Sequence, residues 1–370
     1  FSISFFLIFS NHFFKLFFTR FFKSIPVSGC FFISYLCLTK KRNNVFTAED
    51  IISIQTTKEF HKISMKVFRY QFEHNEVYQK YCLLVKKTPE NVKHITEIPF
   101  LPIEFFKSKE ILSSQNPVVT TFTSSGTTGQ ITSKHHVTDL SFYELSFRNA
   151  FSRFYGSIEN YIVLALLPSY LEREGSSLIY MVQDLIEGSQ HPDSGFYLNN
   201  YEDLAQKLKQ LDADGQNVLL IGVTYALLDL TEQYEFDLKN TIVMETGGMK
   251  GQRKEMIREE LHHLLTKGFG VSEIHSEYGM TELLSQAYSL GNGIFECPPW
   301  MDILIRDTED PFSLVDFGKT GGINVIDLAN YNSCSFIATQ DLGKKHENFS
   351  FEVLGRFDNS DIRGCNLMVI

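Results

Sequence analysis

Residues 161–278 alternate between short apolar runs and longer amphipathic runs. The apolar runs predict buried strands at 161–167, 217–223, 241–245 and 271–276. The helical spacing of apolar residues predicts helices at 139–154, 177–186, 201–211, 225–234 and 252–266. Strands that alternate with helices in this way form a parallel or mixed sheet covered by helices. The sequence therefore predicts an α/β fold.

The regions on either side of this alternation have different patterns. Apolar residues at mostly three- and four-residue steps predict a helical N-terminal cap over 44–112. Short alternating segments predict the strands of a small β-rich subdomain over 298–354, at 302–306, 322–328, 335–338 and 350–353. The remaining divisions are an α/β core at 113–297 and a hinge-like segment with a short tail at 355–370.

Residues 1–43 form an atypical extension that is rich in Phe. Three interpretations are open for it: a membrane anchor, a signal peptide, or translated AT-rich upstream DNA outside the native coding sequence. The uncharged run 24–39 is shorter than the ~20 residues that a spanning helix needs. The apolar stretches are also interrupted, so no signal-peptide core stands out. We favour the third interpretation, with weak membrane association second, and expect the fold to begin near Val45.

Charge and cysteine usage exclude several classes of protein. The net charge is −10 and the pI is about 5.6, with no compensating basic block, which argues against nucleic-acid binding. The six cysteines form no CxxC pair or CxxH cluster, so neither a disulfide framework nor a zinc site is expected. A reducing cytoplasm is the location that this pattern favours.

A polar, glycine-bearing loop precedes the alternating region. It places five hydroxyls and two glycines within the eight residues 122–129, Phe-Thr-Ser-Ser-Gly-Thr-Thr-Gly. Glycines let backbone N–H groups turn toward one point, and hydroxyls add short donors, so such a loop suits phosphate oxygens. A solvated turn is the alternative. The candidate phosphate ligands are Thr123, Ser124, Ser125, Gly126, Thr127, Thr128 and Gly129.

Two further loops of this kind follow predicted strands. Gly247 and Gly248 come after the strand at 241–245, and Tyr278-Gly-Met-Thr-Glu282 comes after the strand at 271–276. In open α/β sheets, ligands bind beyond the carboxyl ends of the strands. Neither the Gly-Lys-Ser/Thr ending of a Walker loop nor a G-x-G-x-x-G after a strand is present.

The order of the motifs resembles that of adenylate-forming enzymes. The segment 123–129 is followed by Gly247-Gly248, by Tyr278-Gly-Met-Thr-Glu282, by Thr339-Gln-Asp341 and by Gly355-Arg356. Within this group the chain is more similar to the acyl-protein synthetase (LuxE) family. The similarity covers roughly residues 47–368 and includes Ile98-Pro-Phe-Leu-Pro-Ile-Glu-Phe-Phe-Lys107, Leu167-Pro-Ser-Tyr-Leu-Glu-Arg173 and Met244-Glu-Thr-Gly-Gly-Met-Lys250.

This resemblance implies a fold and an activity. The fold is a large adenylate-forming domain, with mixed or parallel sheets flanked by helices, beside a small β-rich subdomain. The activity is ATP- and Mg²⁺-dependent conversion of a fatty acid to acyl-AMP. The acyl group then passes to a protein thiol and on to a partner protein of the acyl reductase type.

The resemblance also implies roles for single residues. Glu282 helps to hold Mg²⁺, Thr281 binds the α-phosphate, and Tyr278 lies against the adenine. The remaining nucleotide contacts come from Gly247, Gly248, Gly279, Asp341 and Arg356. Each residue alone also fits a structural role, such as a core tyrosine for Tyr278, a capping residue for Glu282 or a turn residue for Asp341. The combination favours a site.

Cys365 is the candidate acyl carrier. It follows Arg363-Gly364 near the end of the sequence, where a mobile segment and a neighbouring cation favour a reactive thiolate. In the family that the chain resembles, a cysteine near the C-terminus carries the acyl group as a thioester. An incidental free cysteine is the alternative, and Cys297 and Cys334 are expected to be structural.

The chain is expected to depart from many adenylate-forming enzymes, with the mobile C-terminal domain and its catalytic lysine absent or vestigial. Lys134 and Lys250 are candidate substitutes for that positive charge. His275 is expected to line the acyl site. The pairs His135-His136 and His262-His263 are expected to be surface or loop residues.

Two alternative functions remain open. One is a phenylacetate-type acyl- or aryl-coenzyme A ligase with a shortened C-terminus. The other is a catalytically silent acyl-binding or scaffold protein, against which the presence of Thr281, Glu282 and Asp341 argues. The acyl chain length, the acceptor protein and the pathway cannot be inferred from these residues.

Overall fold

The computed structural model describes residues 46–124, 131–168, 175–247, 253 and 256–357. The described region begins with three helices: α1 (Ala48–Ile52), α2 (Thr57–His74) and α3 (Glu76–Leu84). Capping boxes begin the first two, with Thr47 and Asp50 at α1 and Thr56 and Glu59 at α2. Their buried faces pack into the core, which confirms the helical pattern up to Leu84.

The segment that follows α3 contains a short strand, a single-turn helix and a β-hairpin. A short strand, β1 (Leu101–Pro102), leads to the single-turn helix α4 (Phe105–Ser108). A hairpin then forms from β2 (Thr120–Thr123) and β3 (Lys134–Val137), which pair antiparallel with Thr123 opposite Lys134. The Ser/Thr/Gly loop connects these two strands. The sequence pattern missed the hairpin because each strand is only four residues long.

One large mixed sheet contains most of the remaining strands. They are β4 (Ile162–Leu166), β5 (Gly195–Tyr197), β6 (Val218–Val223), β7 (Thr241–Thr246), β8 (His275–Tyr278), β9 (Ala287–Ser289), β10 (Ile294–Glu296), β11 (Met301–Arg306), β12 (Thr320–Asp327), β13 (Phe336–Lys345) and β14 (Phe351–Arg356). The strand order is β11-β12-β13-β14-β10-β9-β8-β7-β6-β4-β5, and β1 pairs with β13.

The half of the sheet from β5 to β8 is parallel. Its helices are α5 (Ser141–Tyr155), α6 (Ser177–Ser189), α7 (Tyr201–Ala213), α8 (Thr224–Gln233) and α9 (Arg258–Phe269). Every residue of β4 and β6 is buried, which explains why these strands are apolar without alternation. The predicted mixed α/β fold is confirmed, whereas the domain boundaries within residues 46–357 stay predictions.

The other half of the sheet is antiparallel, from β8 through β9, β10, β14, β13 and β12 to β11. The antiparallel β8–β9 pairing joins the two halves into one hydrogen-bonded sheet. Strand β8 begins at His275 and ends at Tyr278, later than the pattern 271–276 predicted. Tyr278 is therefore the last residue of a strand. In the part of the chain that the structure describes, no helix has the length and apolar character needed to cross a membrane.

We predict that Gly270→Ala destabilises the fold more than Gly215→Ala does. Both glycines have a positive φ, of +70° and +72°, so alanine is strained at both by about 1–2 kcal/mol. Only at Gly270 would the added Cβ approach backbone atoms, at 2.7 Å from Asp237 Cα and 2.8 Å from Phe236 O. Urea denaturation should show an additional loss of roughly 1–3 kcal/mol for Gly270→Ala. Equal losses would contradict the close contact.

Candidate active site

The predicted site residues meet at the carboxyl edge of two neighbouring parallel strands. Strand β7 ends at Thr246 and continues into Gly247, while β8 ends at Tyr278 and continues into Gly279. The two strands pair directly, with Thr246 opposite Glu277. Parallel strands place their carboxyl ends at one edge, where ligands of α/β sheets bind. The geometry thus brings together two loops that are about thirty residues apart in sequence.

Three predicted site residues form a hydrogen-bonded chain at this edge. The Tyr278 hydroxyl donates to Asp341 Oδ2 at 2.8 Å, and Arg356 Nε donates to Asp341 Oδ1 at 3.1 Å. Asp341 and Arg356 also face each other across the β13–β14 pair. Asp341 is buried, whereas the Arg356 side chain is 77% exposed. The carboxylate therefore has one buried partner and one partner at the surface.

The Tyr278 ring packs against two aromatic residues. Phe295 and Phe351 meet it edge to face, with ring centroids 6.0 and 5.7 Å away. Burial, with the nearby Asp341 charge, raises the pKa of the Tyr278 hydroxyl well above its ordinary value. The hydroxyl is therefore protonated near neutral pH and donates to the carboxylate.

Thr281 and Glu282 lie just beyond β8, and Glu282 is buried. Burial raises the pKa of the Glu282 carboxyl, and the Ser133 hydroxyl opposes that shift by hydrogen bonding to it. Asn330 Nδ2 donates to the Glu282 carbonyl oxygen at 2.7 Å. A buried carboxylate whose charge is only partly compensated fits a hard cation, because Mg²⁺ binds through one or two carboxylates together with substrate phosphates.

Glycine is present in the two loops for different structural reasons. A Cβ at Gly279 would come within 2.3 Å of Glu277 Oε1, so a larger residue there would force the Glu277 carboxylate to move. Glu277 is itself buried and accepts a hydrogen bond from the Thr246 hydroxyl at 3.1 Å. Gly247 has a φ of +25° and faces open space, since a Cβ added there would have no described atom within 4 Å.

The base of the phosphate-loop candidate is closed by hydrogen bonds. Ser124 N donates to Ser133 O at 3.1 Å, and Ser133 N donates to Ser124 Oγ at 2.9 Å. Thr123 N donates to Gly175 O at 2.8 Å. The rest of the loop, Ser125, Gly126, Thr127, Thr128 and Gly129, lies outside the described residues, as do Gly248, Lys250 and Cys365.

The expectation that His135 is a surface residue was wrong. His135 lies in β3, is fully buried and hydrogen-bonds through Nδ1 to the Thr281 carbonyl at 2.8 Å. Its alternation with the buried Val137 on a strand after a polar loop is the signal that marks it as internal. His262 was also misjudged, because its side chain is only 11% exposed and lies 3.6 Å from Glu245.

Glu245 is a buried carboxylate near this edge that the sequence reasoning missed. It forms an ion pair with Arg258 and accepts from the Thr224 hydroxyl at 3.1 Å. Burial alone would raise the pKa of its carboxyl, but hydrogen bonding to His262 and the charge of Arg258 outweigh burial and lower it to about 2. The penultimate residue of β7 is thereby anchored to α8 and α9.

His275 begins strand β8, away from the Tyr278 end, and meets Tyr155 of α5. Its Nδ1 atom lies 3.2 Å from the Tyr155 hydroxyl. Burial lowers the pKa of the His275 ring to about 4, so the ring is neutral near pH 7. The expectation that His275 lines an acyl site stays a prediction.

Comparisons with known proteins agree with these motifs. The model of the acyl-protein synthetase family, LuxE, matches residues 43–144. A long-chain-fatty-acid–luciferin-component ligase of Aliivibrio fischeri is 23% identical over 373 residues, covering 88% of this chain and 95% of the relative. The protein of the same description from Vibrio harveyi is 23% identical over 351 residues, covering 85% of this chain and 88% of the relative. The resemblance to the LuxE family is confirmed.

Solved structures support the fold of this LuxE-like chain. An open conformation of 2-hydroxyisobutyryl-CoA ligase, in complex with 2-HIB-AMP and CoA, has a TM-score of 0.60 and 12% identity. That match covers 86% of this chain and 75% of the other. ATP-bound MatB from Rhodopseudomonas palustris has a TM-score of 0.50 and 15% identity over 66% of this chain, which spans about half of MatB, 49%. At these identities the likeness concerns the fold.

We predict that the Tyr278 and Asp341 side chains are energetically coupled in the LuxE-like chain. Tyr278→Phe removes a hydrogen bond to a carboxylate and should lower the free energy of unfolding by about 1.5–3 kcal/mol. Tyr143→Phe is the matched control, because its hydroxyl donates to a neutral acceptor, Ser177 O, at 2.8 Å. A double-mutant cycle with Asp341→Asn, measured by denaturant unfolding, should show coupling. Strictly additive effects would contradict it.

We also predict a pH-dependent contribution from Glu245. Its folded-state pKa of about 2 lies below the ordinary 4.5, so its ionised form stabilises the fold above pH 4.5. This stabilisation is lost as the pH falls from 4.5 toward 2. The difference in unfolding free energy between the wild type and Glu245→Gln should be on the order of 3 kcal/mol near pH 6 and shrink on acidification. Glu259→Gln, exposed on the same helix as Arg258, controls for the loss of one charge. A difference that is constant from pH 6 to 3 would refute the ion pair's role.

Proposed function

We propose that this chain activates a long-chain fatty acid with ATP and transfers the acyl group to a protein thiol. The observation that carries the proposal is the chain of hydrogen bonds from Tyr278 through Asp341 to Arg356 at the carboxyl edge of β8. These residues come from three motifs that are far apart in sequence, in the order typical of adenylate-forming enzymes. The long-chain-fatty-acid ligases that match most of the chain support the substrate class.

The first step joins two anions. A carboxylate oxygen of the fatty acid forms a bond to the α-phosphorus, the bond from that phosphorus to the bridging oxygen breaks, and pyrophosphate leaves. The negative charges must be neutralised as they meet, so oriented donors lower the barrier. The hydroxyls and N–H groups of 123–129 hold the β- and γ-phosphates in this proposal, and the Thr281 hydroxyl holds the α-phosphate.

The nucleoside is held by the same edge of the sheet. In this proposal the adenine lies against Tyr278 and the backbone of Gly247, and Gly248 is the second glycine of that motif. The Asp341 carboxylate accepts hydrogen bonds from the ribose hydroxyls, using the lone pairs that its hydrogen bond from Tyr278 leaves free. Because Tyr278 fixes the orientation of Asp341, the ribose acceptor is in place before the nucleotide arrives. Arg356, largely exposed, contacts the ribose or phosphate.

Magnesium fits this arrangement through Glu282. Among the described residues there is no cluster of three or more His, Cys, Asp or Glu side chains able to hold a metal by themselves. A cation that enters with the nucleotide and takes one carboxylate from the protein agrees with this. When bound, Mg²⁺ neutralises phosphate charge, and Glu282 orients it.

The second step moves the acyl group to Cys365. Its thiolate attacks the acyl carbonyl, the bond to the phosphate oxygen breaks, and AMP leaves. A thiol of an acyl reductase-type partner then displaces Cys365 by the same exchange. The described cysteines are poor carriers: burial raises the thiol pKa of Cys82 to about 12 and that of Cys297 and Cys334 well above the ordinary value. The free thiols agree with a cytoplasmic location.

The decisive experiment incubates the protein with ATP, Mg²⁺ and radiolabelled myristate. We expect acyl-AMP and a hydroxylamine-labile protein label in the wild type and in the control Cys297→Ser. Cys365→Ser should form acyl-AMP at an unchanged rate but lose at least about nine-tenths of the label, because its hydroxyl is a far weaker nucleophile.

The other possible outcomes of this experiment distinguish the alternative functions. A persistent label in Cys365→Ser overturns the carrier role. AMP release that requires coenzyme A and ignores Cys365 indicates a coenzyme A ligase. Failure to form acyl-AMP with acids of any chain length overturns the enzymatic function and leaves an acyl-binding protein.

A further inference from the structure

Strand β3 links the phosphate-loop candidate to the Thr281-Glu282 segment. The loop runs directly into β3, whose first residues are Lys134 and His135. The His135 ring then reaches across to the Thr281 carbonyl, with Nδ1 at 2.8 Å from the oxygen. One residue before β3, the Ser133 hydroxyl hydrogen-bonds to the Glu282 carboxyl. Two residues just after the loop, Ser133 and His135, thus contact two consecutive residues of the other motif.

The contact determines the tautomer of His135. A carbonyl oxygen can only accept, so Nδ1 carries the hydrogen and Nε2 holds a lone pair. Complete burial is the main cause that lowers the pKa of the ring to about 4, so the imidazole is neutral near pH 7. His135 is therefore a neutral donor aimed at one backbone oxygen.

Asn330 completes the attachment of this segment. Its Nδ2 atom donates to the Glu282 carbonyl at 2.7 Å. Two buried side chains from distant parts of the sequence therefore hold consecutive carbonyls, His135 that of Thr281 and Asn330 that of Glu282. Among the described atoms, His135 Nε2 and Asn330 Oδ1 have no hydrogen-bond partner. Both are acceptors in this tautomer, so they cannot bond to each other.

The bond from Nδ1 to the Thr281 carbonyl distinguishes His135 from an ordinary core side chain. A buried polar atom without a partner destabilises a fold, and an apolar side chain would avoid that cost. The Phe106 ring meets the His135 ring edge to face, with centroids 5.7 Å apart at 86°, so the site already has apolar packing. What only the histidine adds is the donor to Thr281.

We propose that His135 is a positioning residue, which holds the Thr281-Glu282 segment in place against strand β3 through its bond to the Thr281 carbonyl. The inference rests on the proposed adenylation. In that reaction, β3 and His135 keep Thr281 at the α-phosphate and Glu282 at the cation. His135 itself touches neither nucleotide nor acid.

The test compares three variants in an assay of acyl-AMP formation. His135→Leu fills the cavity without a donor, and His135→Asn places an amide N–H near the position of Nδ1. Phe106→Leu alters the packing around the ring but leaves its hydrogen bond. We expect His135→Leu to lower kcat about tenfold or more with a KM for the acid within about threefold. His135→Asn should recover most of kcat, and Phe106→Leu should keep it while lowering Tm.

Long-range ¹H–¹⁵N NMR correlation spectra provide a readout independent of activity. We expect one neutral histidine ring protonated at Nδ1, whose signals disappear in His135→Asn. An Nε2-protonated or charged ring at this position overturns the proposal. So does an unchanged kcat in His135→Leu, or a kcat that falls in all three variants in proportion to Tm.

Loss of the adenylation and loss of the positioning role alone give different experimental results. A wild-type protein that forms no acyl-AMP overturns the adenylation, and the positioning role with it. A wild-type protein that forms acyl-AMP beside a fully active His135→Leu variant overturns the positioning role alone.

Discussion

The hydrogen bond from the Tyr278 hydroxyl to Asp341 joins two halves of the sheet that differ in construction. Tyr278 ends the last parallel strand, β8, while Asp341 lies in the middle of the antiparallel strand β13. The bond forms only if β9, β10 and β14 fill the space between them in the right register. Phe295 of β10 and Phe351 of β14 pack in this space, and their rings stack on each other with centroids 5.4 Å apart. The polar contact at the edge therefore depends on aromatic packing beneath it.

Buried carboxylates serve as fixed points for the loops around the site. Asp327 accepts from Leu284 N at 2.7 Å and Ser285 N at 3.0 Å, just after Glu282. Glu245 anchors the end of β7, and Glu277 the end of β8. Each burial is costly for a charge, and each carboxylate has donors that compensate it. Loops held in this way bring their backbone to a ligand with little rearrangement, which is what charge stabilisation in a reaction requires.

The parallel half of the fold could be predicted from the sequence because its strands are continuous apolar runs separated by amphipathic helices. Tyr278, Asp341 and Arg356 could be predicted through local motifs with a recognisable order. The sequence pattern missed β2 and β3, since four-residue strands give too short a period, and it placed His135 on the surface because a His-Lys-rich segment is polar on average. Glu245 and Asp327 were missed for a different reason. Their roles depend on partners that are distant in sequence, such as His262 and Leu284, and a local sequence pattern cannot predict such contacts.

Arg356 ends the last strand of the sheet at the proposed ribose site, and Cys365 stands nine positions further along the chain. A chain of that length spans at most about 30 Å, at roughly 3.3–3.6 Å per residue. A thiol tethered so closely to an adenylate would meet it at an effective concentration in the millimolar range. Free thiols in solution would compete poorly at such a site. In the function proposed above, the attachment of Cys365 nine positions beyond β14 therefore favours the protein's own cysteine over dilute small thiols as first acceptor.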